Sequence, residues 1–163
     1  MDWTIFNSNN KSKENSKKII NHRFSLTLPE EWIDGTVYTF MGPQIDGIRH
    51  DIQVTIREMD LDIDACCQQQ IDDIAATLDK FKLMQRNSFT LDNGCEGREI
   101  VFQWQLSEEK PLIQRLVLVR LGPYLYTLTS SYSTDSWPAM SDQVAQIIKS
   151  FTVIELDHSK GKH

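Results

Sequence analysis

Histidine is the side chain that most often moves protons near neutral pH, and the sequence contains four of them, His22, His50, His158 and His163. A catalytic histidine needs a partner that orients it, often a carboxylate. Two of the four lie in the C-terminal tail, and the other two precede predicted strands without a carboxylate at the spacing of a known motif. We therefore interpret them as surface histidines.

The acidic residues give no stronger catalytic signal. The pairs Glu30–Glu31, Asp72–Asp73 and Glu108–Glu109 are adjacent in sequence, whereas a general acid and a general base must converge across a cleft. The sequence also lacks a nucleophile elbow, a phosphate-binding loop, a dinucleotide fingerprint and a His-Glu-x-x-His pair. We expect no catalytic residues, no cofactor and no enzymatic activity.

The three cysteines are the remaining candidates for reactive or metal-binding side chains. Cys66 and Cys67 are adjacent and Cys95 stands alone. This pattern matches neither the spacing of zinc ligands nor the even framework of a secreted disulfide protein. It predicts reduced thiols and no metal site.

The bulk composition limits size, location and partners. The chain has 163 residues, enough for one domain with its own core, and a net charge of −6, which disfavours binding to nucleic acid. Met1–Asn10 lacks the basic and apolar regions of a signal peptide. No segment reaches the roughly 20 apolar residues of a membrane span. We expect a cytoplasmic protein that is not embedded in a membrane.

Strands and two helices must position any site. Helical spacing predicts one helix over Ile63–Asp79, with Asp62 as its N-cap, and a second helix capped by Ser136. Alternation and turn residues predict the main strands. These are Phe24–Leu28, Thr36–Met41, Ile52–Ile56, Phe81–Leu91, Arg98–Leu106, Leu112–Leu121 and Tyr124–Ser131. The remaining assignments are short strands at Trp3–Phe6 and Thr152–Ile154, a polar loop at Asn7–Lys18 and a helical turn at Pro29–Ile33.

This order of elements is typical of the α+β class. We predict a twisted antiparallel sheet that packs with two main helices as a sandwich. The predicted organisation is an N-terminal strand and flexible insertion over residues 1–21, one domain over residues 22–156, and a polar C-terminal tail over residues 157–163.

Two predicted strands carry apolar residues on both faces, which is unexpected for a sheet with one solvated face. Leu116–Val119 is apolar throughout, and Val37–Met41 places Tyr38 and Phe40 on one face and its other residues on the opposite face. If the helices cover one face, the other face needs a cover of its own. The cover could be a second copy of the chain, or the chain's own loops and N-terminal segment. The other alternative is an apolar segment of a partner.

The run Leu26–Asp34, with the sequence LTLPEEWID, resembles the opening of DcrB-like proteins. The resemblance continues through Thr36–Phe40, Phe81–Leu83, Phe102–Gln105 and the turn at Gly122–Pro123. It covers most of the chain and implies the PsbP-like α/β sandwich, which agrees with the architecture predicted from periodicity.

Within that family, the sequence most resembles the Eag chaperones of bacterial type VI secretion. These are homodimers that shield the N-terminal transmembrane segments of effectors, often Rhs-type toxins, before the effector is loaded on the VgrG spike. The resemblance implies the same role here, with the apolar effector segment as the direct partner and VgrG as an indirect one. The implied partner-binding residues are Val37, Thr39, Val54, Gln70, Ile74, and Gln114 or Arg115. The alternative is a general DcrB-like or PsbP-like accessory binding protein without effector cargo.

Overall fold

The computed structural model describes residues 16–20, 24–45, 47–107 and 110–153. The chain divides after Gly35 into two compact units, Met1–Gly35 and Thr36–His163. In the first unit, strand β1 (Ser16–Ile20) pairs antiparallel with strand β2 (Ser25–Pro29). A turn follows, in which the backbone N–H of Trp32 donates to the carbonyl oxygen of Pro29 at 3.1 Å.

The N-terminal unit confirms one sequence prediction and corrects two. Strand β2 confirms the strand predicted at Phe24–Leu28 to within one residue at each end. The segment Pro29–Ile33 contains a turn and no helix. The polar loop predicted at Asn7–Lys18 is wrong over its last three residues, which lie in β1, because pairing with β2 supplies backbone hydrogen bonds that a polar composition does not reveal. The strand predicted at Trp3–Phe6 lies outside the described residues.

The second unit is built on a six-stranded antiparallel sheet with the strand order β3-β4-β8-β7-β6-β5. Its strands are β3 (Val37–Ile45), β4 (Ile48–Glu58), β5 (Lys82–Thr90), β6 (Glu96–Ser107), β7 (Lys110–Leu121) and β8 (Tyr124–Ser133). Helix α1 (Ile63–Thr77) connects β4 to β5, and helix α2 (Trp137–Lys149) follows β8. This architecture confirms the predicted α+β fold.

Helix α1 begins where the sequence predicts. The Asp62 side chain accepts a hydrogen bond from the backbone N–H of Ala65 at 2.8 Å, which satisfies one of the unpaired donors of the first turn. Cys66, Cys67 and Ile71 form a buried stripe at helical spacing. This stripe packs on one face of the sheet against a set of buried side chains from β6, β7 and β8. That set is Ile100, Phe102, Leu116, Leu118 and Leu125.

Helix α2 packs on the opposite face of the sheet. Its buried residues Met140, Val144 and Ile148 form a second core with β-strand residues that include Val117 and Leu128. Ser136 stands at the N-cap position, but its hydroxyl accepts from the backbone N–H of Ser133 instead of capping the helix.

The short strand predicted at Thr152–Ile154 is not formed at Thr152 and Val153, since no described strand pairs with them. Ile154 lies outside the described residues.

The two helices on opposite faces explain why β7 is apolar throughout. Leu116 and Leu118 belong to the core under α1, whereas Val117 and Val119 belong to the core under α2. Successive residues of a strand point to opposite faces, so a strand that is covered on both faces needs no alternation. The expectation that β7 leaves an apolar face without a cover is therefore wrong.

Candidate functional site

Strand β3 is an edge strand with apolar side chains exposed on both faces. Val37 is 49%, Tyr38 43%, Phe40 62% and Met41 72% exposed. Among the described strands, β3 lies at the end of the sheet and pairs only with β4, and the register shifts between Met41 and Gln44. An edge strand of this kind is a site where another chain can bind. The exposed apolar surface that the sequence suggested is thus found on β3 and not on β7.

Strand pairing assigns Val37 and Thr39 to the face that carries α1. Directly paired residues share a face of the sheet. Val37 pairs with Thr55, Thr55 pairs with Thr127, and Thr127 pairs with Leu118, which packs under α1. Thr39 lies two residues from Val37 along β3, so it faces the same way.

Three other predicted residues lie on this α1 side. Gln70 and Ile74 are half-buried and are one turn apart on α1. Gln114 pairs with Phe102 of the core under α1, and its side-chain amide donates to the hydroxyl of Ser131 at 3.0 Å. Of the two residues that the sequence left open, Gln114 is therefore the one that lies on the α1 side.

Val54 and Arg115 lie on the α2 side instead. Val54 pairs with Leu128, and both belong to the core under α2. Arg115 pairs with Val101 of the same core. The seven predicted residues are thus not brought together on one surface, because a difference of one residue along a strand moves a side chain to the other face.

The α1-side face of β3, β4 and β8 is more polar than the predicted apolar groove. Its central rows are Gln53 and Thr55 on β4, and Thr127 and Thr129 on β8. Gln53 is exposed and the three threonines are half-buried. Sequence reasoning passed over Thr127 and Thr129, although their alternation with apolar residues on β8 is the pattern of a strand with one polar face.

An apolar cavity of about 370 Å³ lies on the α2 side, between α2 and the strands β3 and β4. Val54 is the one predicted partner-binding residue that lines it. Its other apolar lining residues are Phe40, Met41, Pro43, Ile52, Leu128, Met140, Val144, Ile147 and Phe151. Its polar lining residues are His50, Asp51, Gln143 and Ser150. The sequence did not predict a cavity at this position.

His50 is the least expected residue of the cavity lining. It was interpreted as a surface histidine, but it is only 3% exposed. His50 is buried because side chains alternate between the two faces of a strand, and His50 lies on the α2-facing side of β4 with Ile52 and Val54. Its Nδ1 lies 3.2 Å from the carbonyl oxygen of Ser131, and no described residue is a hydrogen-bond partner of Nε2.

The other buried polar groups on this side have internal partners. Arg115 donates through Nη1 to the carbonyl oxygen of Ser141 at 2.8 Å, and its Nε lies 3.0 Å from Oε1 of Glu99. That N–H is not directed at the oxygen, so the contact with Glu99 is an ion pair without a hydrogen bond. Burial raises the pKa of Tyr132, whose hydroxyl shares a hydrogen bond of 2.8 Å with Ser130. The described residues include no group of three or more potential metal ligands.

Residues 24–150 match the family model DcrB. A crystal structure of a Pseudomonas aeruginosa protein of unknown function, described as a candidate regulator, superposes with a TM-score of 0.72 at 18% identity, covering 86% of this chain and 99% of that one. Cyanobacterial PsbP (CyanoP) from Synechocystis sp. PCC 6803 superposes with a TM-score of 0.50 at 11% identity, covering 92% of this chain and 99% of that one.

LpqN, a Mycobacterium tuberculosis protein involved in cell envelope biogenesis, gives a TM-score of 0.51 at 13% identity, covering 77% of this chain and 88% of that one. At these identities the similarities show the fold alone. No curated protein matches the chain. Of the helices in the described ranges, neither combines the length and the apolar character needed to cross a membrane.

Proposed function

The chain belongs to the DcrB family, and on that premise we propose that it is a binding protein without enzymatic activity whose partner is an apolar protein segment. In the specific form of the proposal, it is a cytoplasmic chaperone of type VI secretion. It shields the N-terminal transmembrane segment of a Rhs-type effector and helps to load that effector on the VgrG spike. The resemblance of the sequence to Eag chaperones supports this form.

The observation that carries the proposal is the exposed apolar surface of β3. Val37 extends it on the α1 side of the sheet, and Tyr38 and Phe40 extend it on the other side. Covering apolar surface contributes roughly 25 cal/mol per Å², so an apolar segment placed along β3 would remove unfavourable surface from both partners.

The α1-side face adds polar groups beside that apolar strand. A transmembrane segment in water needs an apolar cover, and its polar side chains need hydrogen-bond partners. Gln70 and Gln114 lie on this side, and interhelical hydrogen bonds to such amides contribute about 1 kcal/mol each. The half-buried hydroxyls of Thr127 and Thr129 offer further donors and acceptors.

A homodimer would extend this surface, since a second copy related by twofold symmetry presents the same strand and helix to a shared groove. The net charge of −6 keeps such a complex soluble and disfavours nucleic acid as a partner. Binding must remain reversible for the effector to be released, and non-covalent burial of an apolar segment meets that condition.

The test is co-purification with an N-terminal effector fragment that contains the apolar segments, taken from an effector encoded beside the gene. We expect Val37→Glu and Ile74→Glu to abolish co-elution while circular dichroism remains unchanged. Met84→Glu is the matched control, because Met84 is 42% exposed and lies on β5, the strand at the opposite edge of the sheet.

Retention of the fragment by both Val37→Glu and Ile74→Glu would reject the α1-side surface. Failure of the wild-type protein to bind any such fragment would reject the chaperone role. That result would favour the alternative of an accessory binding protein without effector cargo.

A further inference from the structure

We propose that two copies of the chain associate through the edge strand β3, which pairs antiparallel with its own copy about a twofold axis at Thr39. The two six-stranded sheets would then form one continuous sheet. This pairing assigns an interface to the homodimer of the proposed function, on which the proposal rests.

Among the described strands, the sheet ends in two edge strands, β3 and β5, and only β3 is free of charged residues. An edge strand is a template for pairing with another chain, and charged side chains are a common protection against such pairing. Lys82 and Arg86 supply that protection on β5. The nine residues Val37–Ile45 of β3 include no charged side chain, and eight of them are exposed. Strand β3 is therefore the edge that is open to pairing.

The distribution of charge favours a second copy of the chain at this edge. The chain carries a net charge of −6, so two copies repel each other over most of their surfaces. Two β3 strands place no like charges opposite each other, because neither strand carries a charge. A symmetric contact between copies is also the commonest way in which soluble proteins associate.

The register of this pairing follows from the regular part of β3. The pairing of β3 with β4 is regular from Val37 to Met41 and shifts after Met41. Thr39 is the middle residue of this run. A register centred on Thr39 is therefore the one that pairs the whole run with its own copy. Tyr38 then lies opposite Phe40 of the partner subunit, and the same pair is repeated across the axis.

These opposed aromatic residues give the interface its apolar contacts. Tyr38 is 43% and Phe40 62% exposed, and both lie on the α2 side of β3. Aromatic pairs across neighbouring strands stabilise a sheet. On the other face, Val37 and Thr39 of the two copies would lie side by side. The α1-side surface of one copy would thus continue into that of the other.

Disulfide formation between copies tests the register. At the twofold axis, the Cβ atoms of the two Thr39 residues would lie about 4.5–5.5 Å apart, within reach of a disulfide. The two Val37 residues would lie roughly 13 Å apart along the strands, which is too far. We expect Thr39→Cys to give a covalent dimer on a non-reducing gel after oxidation. Val37→Cys and Met84→Cys, the latter on β5, should not. The wild-type protein is the background control, because its three cysteines are buried.

Light scattering during size-exclusion chromatography measures the association itself. At high micromolar concentration we expect the wild-type protein to have twice the chain mass of 18.9 kDa. Thr39→Lys places two ammonium groups opposite each other at the axis and should raise the Kd of the dimer about fivefold or more. Gln85→Lys is the matched control, because it adds the same charge at an exposed position of β5 and should leave the Kd unchanged.

Two outcomes would overturn the interface. One is a wild-type protein with the mass of a monomer, and the other is a dimer that Val37→Cys or Met84→Cys cross-links as readily as Thr39→Cys does. Co-purification with the effector fragment is a separate measurement. A wild-type monomer that retains the fragment would reject the interface alone, whereas a dimer cross-linked at Thr39→Cys, with no fragment retained by the wild-type protein, would reject the effector role alone.

Discussion

The guanidinium carbon of Arg115 lies 5.1 Å from the centroid of the Trp137 ring, which joins the middle of β7 to the first residue of α2. A cation over an aromatic face at this distance is an attractive contact. The same guanidinium donates to the carbonyl oxygen of Ser141 and forms an ion pair with Glu99. The contacts of Arg115 with Trp137 and Ser141 therefore stabilise the packing of α2 on the sheet.

We predict that Arg115→Met destabilises the fold by about 2 kcal/mol. Removing one partner of a buried ion pair costs about 3–5 kcal/mol, and the loss should be smaller here because Glu99 is only half-buried. Urea unfolding measures the effect, and Arg57→Met, at an exposed position on β4, is the control. Unchanged stability together with loss of partner binding would instead support the contact role that the Eag resemblance implies for Arg115.

Gly97 and Phe89 provide a second test of packing. The two residues pair directly across β5 and β6, and a Cβ atom at Gly97 would overlap the Phe89 ring. We predict that Gly97→Ala destabilises the fold by about 1–3 kcal/mol, as overpacking of a core does. Gly35→Ala is the matched control, because a Cβ there meets nothing within 4 Å.

Thermal and urea unfolding measure this effect. The Phe89→Leu change should reduce the cost of Gly97→Ala, because residues in contact are energetically coupled. Additive effects in the double variant would contradict a steric origin.

The elements of the fold were predictable because each one has a local signal. Asp62 and the stripe of Cys67 and Ile71 define α1, alternation defines β6 and β8, and an apolar run between turn residues defines β7. The packing of the two helices on opposite faces was not predictable. An apolar run such as Leu116–Val119 indicates that both faces of the strand are covered, but it does not indicate which element covers each face.

The candidate site was less predictable than the fold. Val37 and Gln114 fall on the α1 side, whereas Val54, implied for the same groove, pairs with Leu128 and falls on the other face; such register depends on long-range pairing. His50 was misassigned for a related reason. Whether a polar residue in a strand is buried depends on the face it occupies, and the face is fixed by tertiary structure.

The ion pair between Asp64 and Arg98 makes stability depend on pH. Arg98 donates to both carboxylate oxygens, at 2.7 and 2.9 Å, and so connects the first turn of α1 to β6. These hydrogen bonds hold the pKa of Asp64 below its ordinary value of 3.8. A carboxylate with a lowered pKa in the folded state stabilises the fold above its unfolded pKa, and this stabilisation is lost as the pH falls below about 3.8.

We therefore predict that Asp64→Asn lowers the melting temperature at neutral pH and that the difference from wild type narrows as the pH falls below 3.8. Calorimetry over a pH series measures both effects. Asp73→Asn, at an exposed carboxylate on the same helix, should show a much smaller difference. A difference for Asp64→Asn that stays constant into the acid range would argue against the ion pair as its cause.

The buried thiols of α1 give the last prediction. Burial raises the pKa of both Cys66 and Cys67, and Cys95 is buried as well. Because the thiolate is the reactive form, a raised pKa and the lack of access should both slow modification. We predict that dithionitrobenzoate at about pH 8 labels no thiol of the native protein on a timescale of minutes and labels all three cysteines in denaturant. An Ala76→Cys variant, exposed on the same helix, should react at once, whereas rapid labelling of Cys66 or Cys67 in the wild-type protein would show that α1 opens from the sheet.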